Sequence, residues 1–375
     1  MTKILILHAS LGSGHVSAAN AIAEVLSRQG VEEVRVEDGL DYADAAVRTI
    51  ITKGYLRVSE QSPLLWRKIY EGTDKEDFAD TLESNKLMGE FQRPFYKKLE
   101  KLILEMEPDA IISTQQFPLL IVQALKQTRR ISQPNYVVIT DFMAHSSWIN
   151  EGVACYFVAS EFTRDALIWW GVPEDKLRVT GIPVKVDIAE QKAMAEMRIK
   201  LDLPLNKPVV TLFGGGIMPE RVKRIVSIML DSPIPAVIVT VSGRNKQMSE
   251  ALADLSDSPT IRLRKYEYID FVDDLVAASD LVVTKSGGLI VSEVLARGTP
   301  MVIVDPIPGQ EEWNADFVVG AGAGLQMRLP EMVPAAVVEL LSDQGRLTTL
   351  RDQAKKYGRP RAAWEIADFI LEDIK

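Results

Sequence analysis

Short apolar runs alternate with helix-period stretches along nearly the whole chain. Runs rich in Val, Ile and Leu predict strands at 3–8, 33–37, 109–113, 136–140, 154–158 and 177–180. A second series follows at 208–213, 235–241, 259–263, 280–284 and 300–304. Between them, stretches such as 17–28 and 289–297 repeat apolar positions at helical spacing. Such alternation predicts an α/β fold, with parallel sheets covered by helices. The series restarts after Gly181-Ile182-Pro183-Val184. Asp187 to Lys200 reads as a charged helical stretch, and Leu203 to Pro208 as a loop. A domain boundary is therefore expected near 185–205. The expected division is 1–185, 186–355, and a C-terminal helix, 356–375, packed back on the first domain.

One region breaks the pattern. Residues 41–105 hold no good strand run, but they contain Leu64-Leu65-Trp66-Arg67-Lys68-Ile69-Tyr70 and Phe91-Gln92-Arg93-Pro94-Phe95-Tyr96. From 48 to 70, Arg48, Lys53, Arg57, Arg67 and Lys68 stand against Glu60 alone, five cations less one carboxylate, in a chain of net charge −9. Basic residues beside aromatics suit a membrane interface. Trp66, Arg67, Lys68 and Tyr70 are the expected docking residues. The competing expectation is an amphipathic helix pair packed on the sheet, since the acidic stretch 71–83 dilutes the charge.

Composition narrows the picture. At 375 residues the chain is long for one core. Its 47% hydrophobic and 25% charged content is ordinary for a globular protein. The negative net charge gives no support to a nucleic-acid partner. A single cysteine, Cys155, excludes an internal disulfide and a Cys-based zinc cluster, and its apolar surroundings predict a core thiol. No run reaches the roughly 18 apolar residues of a membrane span, and the opening run turns straight into Gly12-Ser13-Gly14. A cytoplasmic protein is expected.

Candidate chemistry gathers at strand ends, where parallel sheets bind ligands. The chain has three histidines. His8 ends the first strand, His15 closes the turn after it, and His145 follows the strand at 136–140. Their spacing does not suggest zinc. The turn Gly12-Ser13-Gly14-His15 opens a helix near Ser17, whose N-terminal amides suit an anion. It also fits a dinucleotide fold, with Glu37 or Asp38 holding a ribose. In the second half, Phe213-Gly214-Gly215-Gly216 precedes a helix starting near Pro219. Thr284-Lys285-Ser286-Gly287-Gly288 runs into the helix that carries Glu293. Two glycine turns at two helix starts could hold one diphosphate, with Glu293 reaching a ribose.

Thr284 to Gly288, Glu293, Gly298-Thr299-Pro300, and Pro308-Gly309-Gln310-Glu311 with Asn314, resemble the donor site of the diacylglycerol glycosyltransferases. That group takes in the monogalactosyldiacylglycerol synthases and the processive glucosyl enzymes, related to the peptidoglycan N-acetylglucosaminyl transferase. His8 to His15 with Ala18-Ala19 resembles their acceptor-side glycine loop. Thr140-Asp141 with His145 and Trp148 resembles their N-domain motif, and Gly243-Arg244-Asn245 a donor-domain segment. The likeness spans both halves in order. Three positions depart from it: Ile217-Met218-Pro219 after the triple glycine, Glu267-Tyr268 in the base-side loop, and Ser286 after the lysine.

The resemblance implies a GT-B fold, two Rossmann-like domains facing an interdomain cleft. It implies an inverting, metal-independent transfer of a hexose from a UDP-sugar, a co-substrate rather than a cofactor, to a lipid hydroxyl. Glu293 would hold the ribose, and Ser286, Gly287, Gly288, Gly214 and Gly215 the phosphates. Arg244 would lie near the diphosphate, Gln310 and Glu311 on the sugar, and Asn314 in the same motif. The acceptor loop is Gly12, Ser13 and Gly14. His15 is the expected base, with Asp141 or His145 sharing or orienting that role. There is no Asp-x-Asp pair for a metal–diphosphate. Peripheral attachment to the inner face of the membrane follows from the lipid acceptor. The rival expectations are N-acetylglucosamine transfer to a polyprenyl-linked acceptor, a UDP-sugar epimerase, a nicotinamide oxidoreductase and a non-catalytic nucleotide-sugar sensor.

Overall fold

The computed structural model describes every residue but Met1 and Glu76, and every side chain but theirs and those of Tyr55, Leu56, Arg57, Ser59, Glu60, Gln61 and Pro63. Arg57 and Glu60, which entered the charge count above, thus lie outside the described side chains. The chain forms two compact units. Unit 1 is residues 1–187, 307–313 and 359–375, and unit 2 is 188–306 and 314–358. The segment 307–313, expected with the second domain, thus groups with unit 1.

Unit 1 runs β1 (Lys3–His8), α1 (Ser13–Arg28), β2 (Glu33–Asp38), α2 (Ala45–Gln61), α3 (Pro63–Thr73), α4 (Phe78–Gln92), α5 (Lys97–Met106), β3 (Ala110–Ser113), α6 (Gln116–Gln127), β4 (Asn135–Val138), β5 (Cys155–Val158), α7 (Glu161–Trp169) and β6 (Leu177–Val179). Its six strands are parallel, in the order β2-β1-β3-β4-β5-β6. The central strands read as unbroken apolar runs because helices cover both faces of the sheet. In β1, Ile4 to Leu7 are fully buried. On α1, Ala18, Ala19, Ile22, Val25 and Leu26 turn one stripe into that core. Burial pushes the Cys155 thiol up to about 12, as a core cysteine requires. Where an amphipathic helix pair was the competing expectation, the stretch 41–105 forms four α-helices, α2 to α5.

Unit 2 runs α8 (Met194–Lys200), β7 (Val209–Phe213), α9 (Pro219–Leu230), β8 (Ala236–Val241), α10 (Lys246–Leu252), β9 (Ile261–Tyr266), α11 (Val272–Ala278), β10 (Leu281–Thr284), α12 (Gly288–Ala296), β11 (Met301–Val304), α13 (Gln310–Gly320), β12 (Gly324–Met327), α14 (Met332–Ser342) and α15 (Gln344–Tyr357). The first residues of α13, through Trp313, group with unit 1. The parallel order is β12-β11-β10-β7-β8-β9. Strand β12 was not foreseen. It is four residues at the sheet edge, begins at a glycine, and only Gly324 of it is buried. Only Met194–Lys200 of the charged stretch is α-helical. The last helix, α16 (Ala362–Asp373), belongs to unit 1, where Ala363, Ile366, Ala367 and Ile370 join the core of β1 and α1.

Candidate active site

In an open parallel sheet, ligands bind where the strand order reverses, outside the carboxyl ends. In unit 1 that point lies between β1 and β3. The β1–α1 loop is anchored by Ala9 and Leu11, packed with Leu40. Gly12 caps α1 with φ +140, a conformation that glycine alone adopts readily. The helix therefore starts at Ser13, four residues earlier than expected. Gly14 and His15 lie in its first turn, which carries no acidic residue.

His15 reaches across the reversal point. Its Nδ1 lies 2.9 Å from the Thr114 carbonyl, just past β3, and 2.8 Å from Thr140 Oγ1, past β4. A carbonyl only accepts, so Nδ1 carries the proton and Nε2 keeps its lone pair. Among the described residues, no side chain or backbone group bonds Nε2. Burial pushes the ring's pKa down to about 4, against the Thr114 bond that raises it; His8 adds a small lowering. The ring is thus neutral at physiological pH, with an open acceptor. Trp148, fully buried, stands 6.4 Å from it between ring centroids. His8 is also buried, its Nδ1 unpaired, and its pKa is lowered by burial against the nearby Asp38, Asp41 and Glu37.

His145 is placed differently. Its Nδ1 accepts from Ser147 N at 3.1 Å and meets Ser147 Oγ at 2.9 Å. Its Nε2 then carries the proton and donates to the Tyr70 carbonyl at 3.0 Å. Burial lowers its pKa, partly offset by Asp74. With both nitrogens engaged, His145 ties the end of α3 to the loop after β4 and has no nitrogen open for proton transfer. Asp141 is half-buried, and the neighbouring hydroxyl that meets His15 is that of Thr140.

In unit 2 the order reverses between β7 and β10. Both glycine turns lie there: Gly214–Gly216 after β7, and Lys285–Gly287 after β10. Pro219 opens α9 and Gly287 caps α12, so both helices point amide-rich N-termini at this point. Gly214 is packed against Met248, while a Cβ on Gly215 would meet nothing within 4 Å. Lys285, not singled out from sequence, lies over Gly216, its Cδ 3.4 Å from where a Cβ would stand. Asn314 is fully buried, and its Nδ2 donates to the Ser286 carbonyl at 2.9 Å. It therefore shapes the turn. Glu293 is buried on α12. Arg244 stacks over the exposed Tyr268 ring at 4.9 Å.

Gln310 and Glu311 group with unit 1. Glu311 accepts from Ile307 N at 2.7 Å, and Gln310 from the Trp66 indole at 3.4 Å. Arg67 pairs with Glu312. Tyr70 packs on Trp313 and His145. Of the four expected docking residues, Trp66, Arg67 and Tyr70 are thus engaged by the chain itself, and only Lys68 is exposed. Among the described residues, the exposed large apolar side chains of α3 are Leu64, Leu65 and Ile69. Among the described residues, no helix is long and apolar enough to cross a membrane, and no three His, Cys, Asp or Glu side chains gather as a metal site.

Two family models match. One, monogalactosyldiacylglycerol (MGDG) synthase, covers residues 15–184, and the other, UDP-N-acetylglucosamine 2-epimerase, covers 149–371. A processive diacylglycerol beta-glucosyltransferase of Bacillus mycoides is 30% identical over 373 residues, 99% of this chain and 94% of that protein. The enzyme of the same name from Bacillus pumilus is 28% identical over 372 residues, with the same coverage. Among solved structures, MurG of Acinetobacter baumannii aligns with TM-score 0.63 at 16% identity, over 99% of this chain and all of that one. That likeness shows the fold, which is the GT-B type.

Proposed function

Since the chain belongs to the family of the processive diacylglycerol beta-glucosyltransferases, we propose that it moves a hexose from a UDP-sugar to the hydroxyl of diacylglycerol or a related lipid. The observation that carries this reading inside the molecule is His15: a neutral imidazole, oriented by Thr114, with Nε2 open. That is the geometry of a general base. His15 Nε2 takes the proton of the acceptor hydroxyl as its oxygen attacks the anomeric carbon. The bond from that carbon to the diphosphate breaks, and its electron pair leaves with UDP. Attack from the side opposite the leaving group inverts the centre, so an α-linked UDP-hexose gives a β-hexoside, the linkage in the relatives' name.

The leaving diphosphate gains negative charge. The glycine turns Gly214–Gly215 and Ser286–Gly288, with two helix N-termini, suit that charge. Glu293 is assigned to the ribose, Arg244 to the diphosphate side, and Gln310 and Glu311 to the hexose. Asn314 acts by fixing Ser286. An epimerase rearranges its nucleotide sugar alone. The epimerase-type match begins at residue 149, whereas the transferase relatives align over nearly the whole chain, so the first 148 residues favour transfer. The test is a panel of UDP-glucose, UDP-galactose and UDP-N-acetylglucosamine with diacylglycerol vesicles or a polyprenyl acceptor. The expected product is hexosyl-diacylglycerol. Sugar incorporation only into the polyprenyl acceptor, or epimerised nucleotide sugar with no lipid product, would overturn the assignment.

A lipid acceptor requires the enzyme to dock peripherally, here at the cytoplasmic face of the membrane. The docking face is assigned to Leu64, Leu65, Lys68 and Ile69 of α3, with Ile50 and Lys53 of α2, all exposed. Apolar side chains enter the interface, and each lysine adds on the order of 1 kcal/mol near anionic lipid. Leu65→Ser/Lys68→Ser/Ile69→Ser should lose most flotation with phosphatidylglycerol-containing vesicles, while Trp66→Ala should float like wild type. Undiminished flotation of the triple variant would remove the docking face.

A further inference from the structure

The two faces of α3 differ. Its exposed face carries Leu64, Leu65, Lys68 and Ile69. Its other face contacts four residues of the segment 309–313: Gly309, Gln310, Glu312 and Trp313. The Trp66 indole donates to Gln310 Oε1. The Arg67 guanidinium pairs with one carboxylate oxygen of Glu312, whose other oxygen accepts from Gly309 N at 3.2 Å. Tyr70 lies edge-on to Trp313, 5.1 Å between centroids, and 5.9 Å from Trp66. Gly309, at φ +88, passes so close that a Cβ would stand 2.7 Å from the Tyr70 ring. Tyr70 is held in turn, since its carbonyl accepts from His145 and its ring lies 4.6 Å from the imidazole. Every residue on both sides of this grip belongs to unit 1.

A half-exposed ion pair such as Arg67–Glu312 contributes little to stability. What it supplies with Tyr70 is geometry. Gln310 is thus held directly, and Glu311 stands between the gripped residues. We propose that Arg67 and Tyr70 are positioning residues that set Gln310 and Glu311 for the hexose of the donor, so that the helix whose exposed face meets lipid also orders the contacts to the sugar. The proposal rests on the assignment of Gln310 and Glu311 to the hexose. It gives Arg67 and Tyr70 work that membrane docking would not require of them.

The test compares UDP-glucose with UDP, which lacks the sugar, by titration calorimetry on the full chain. Arg67→Ala is expected to weaken UDP-glucose about tenfold, the size of one lost hydrogen-bonding arrangement, and to leave UDP unchanged. Tyr70→Ala should do the same, and Tyr70→Phe, which keeps the ring, should restore wild-type affinity. A merely structural role would weaken both nucleotides together. Equal weakening of UDP and UDP-glucose, or no change in either, overturns the proposal. A selective loss of UDP-glucose affinity, in a protein whose wild type makes no hexosyl-lipid, would sink the lipid-transfer assignment and leave the positioning role standing. Wild type that binds neither nucleotide would overturn both.

Discussion

Removing residues 359–375 should leave the chain unable to hold unit 1 together, with loss of cooperative unfolding and of soluble yield. The reason is the placement of α16. Ile366, Ala367 and Ile370 are fully buried, in one cluster with Ile4, Ile6, Ile22, Val25, Leu26, Tyr136 and Phe157. Phe369 packs edge-on against Tyr136 and Phe157, with Arg178 over its ring at 5.3 Å. The Tyr136 hydroxyl donates to Asp373 at 2.6 Å, and Arg359 pairs with Glu161 at 2.7 Å. Burial of each large apolar side chain contributes about 1.5–3 kcal/mol. Losing Ile366, Ile370 and Phe369 together removes an amount comparable to the roughly 5–15 kcal/mol that holds a whole domain. A milder variant gives a graded readout. Ile366→Ala should cost about 2–5 kcal/mol through the cavity it leaves and lower the melting temperature by roughly 2–4 °C per kcal/mol. Thermal unfolding checks this, and an unchanged melting temperature would show that α16 does not complete the core.

Much of this organisation was legible in the chain. The central parallel strands of both sheets appear as apolar runs because burial on both faces removes any alternation. The glycine turns were visible because tight backbone leaves few other residues available. His15 stood out because it sits on such a turn. What orients it did not. Thr114 contributes a main-chain carbonyl, which no side-chain pattern announces, and only the order of strands brings it to α1. Thr140 lay in a noticed motif, but its role depends on the approach of β4. The inner face of α3 misled for a related reason. Trp66, Arg67 and Tyr70 look like interfacial residues until the partner at 309–313, about 240 residues further on, is in place. His145 likewise looked like a second base until Ser147 and the Tyr70 carbonyl claimed both of its nitrogens. Strand β12 escaped because an edge strand with one buried residue carries almost no hydrophobic signal.

His15→Ala is expected to lower turnover by about 10²–10⁴-fold, the range for removing a general base. The affinity for UDP should be unchanged, because the glycine turns and Glu293 assigned to the nucleotide belong to unit 2. The acid dependence has a definite sign. An imidazole accepts a proton only while neutral. Burial holds the folded pKa of His15 at about 4, so the base is available throughout the neutral range. Its activity is lost only as pH falls toward that value, well below the 6.5 of an unperturbed histidine. Thr140→Val leaves the Thr114 bond in place and should retain more turnover than His15→Ala.

The most direct measurement sets wild type and His15→Ala side by side on diacylglycerol vesicles with UDP-glucose, reading hexosyl-lipid formation, the anomeric configuration of the product, and UDP affinity on the same preparations. The expected result is a β-linked hexosyl-diacylglycerol from the wild type, and little or none from a variant that still binds UDP. Undiminished turnover by His15→Ala, or an α-linked product, would contradict inverting transfer with His15 as the base.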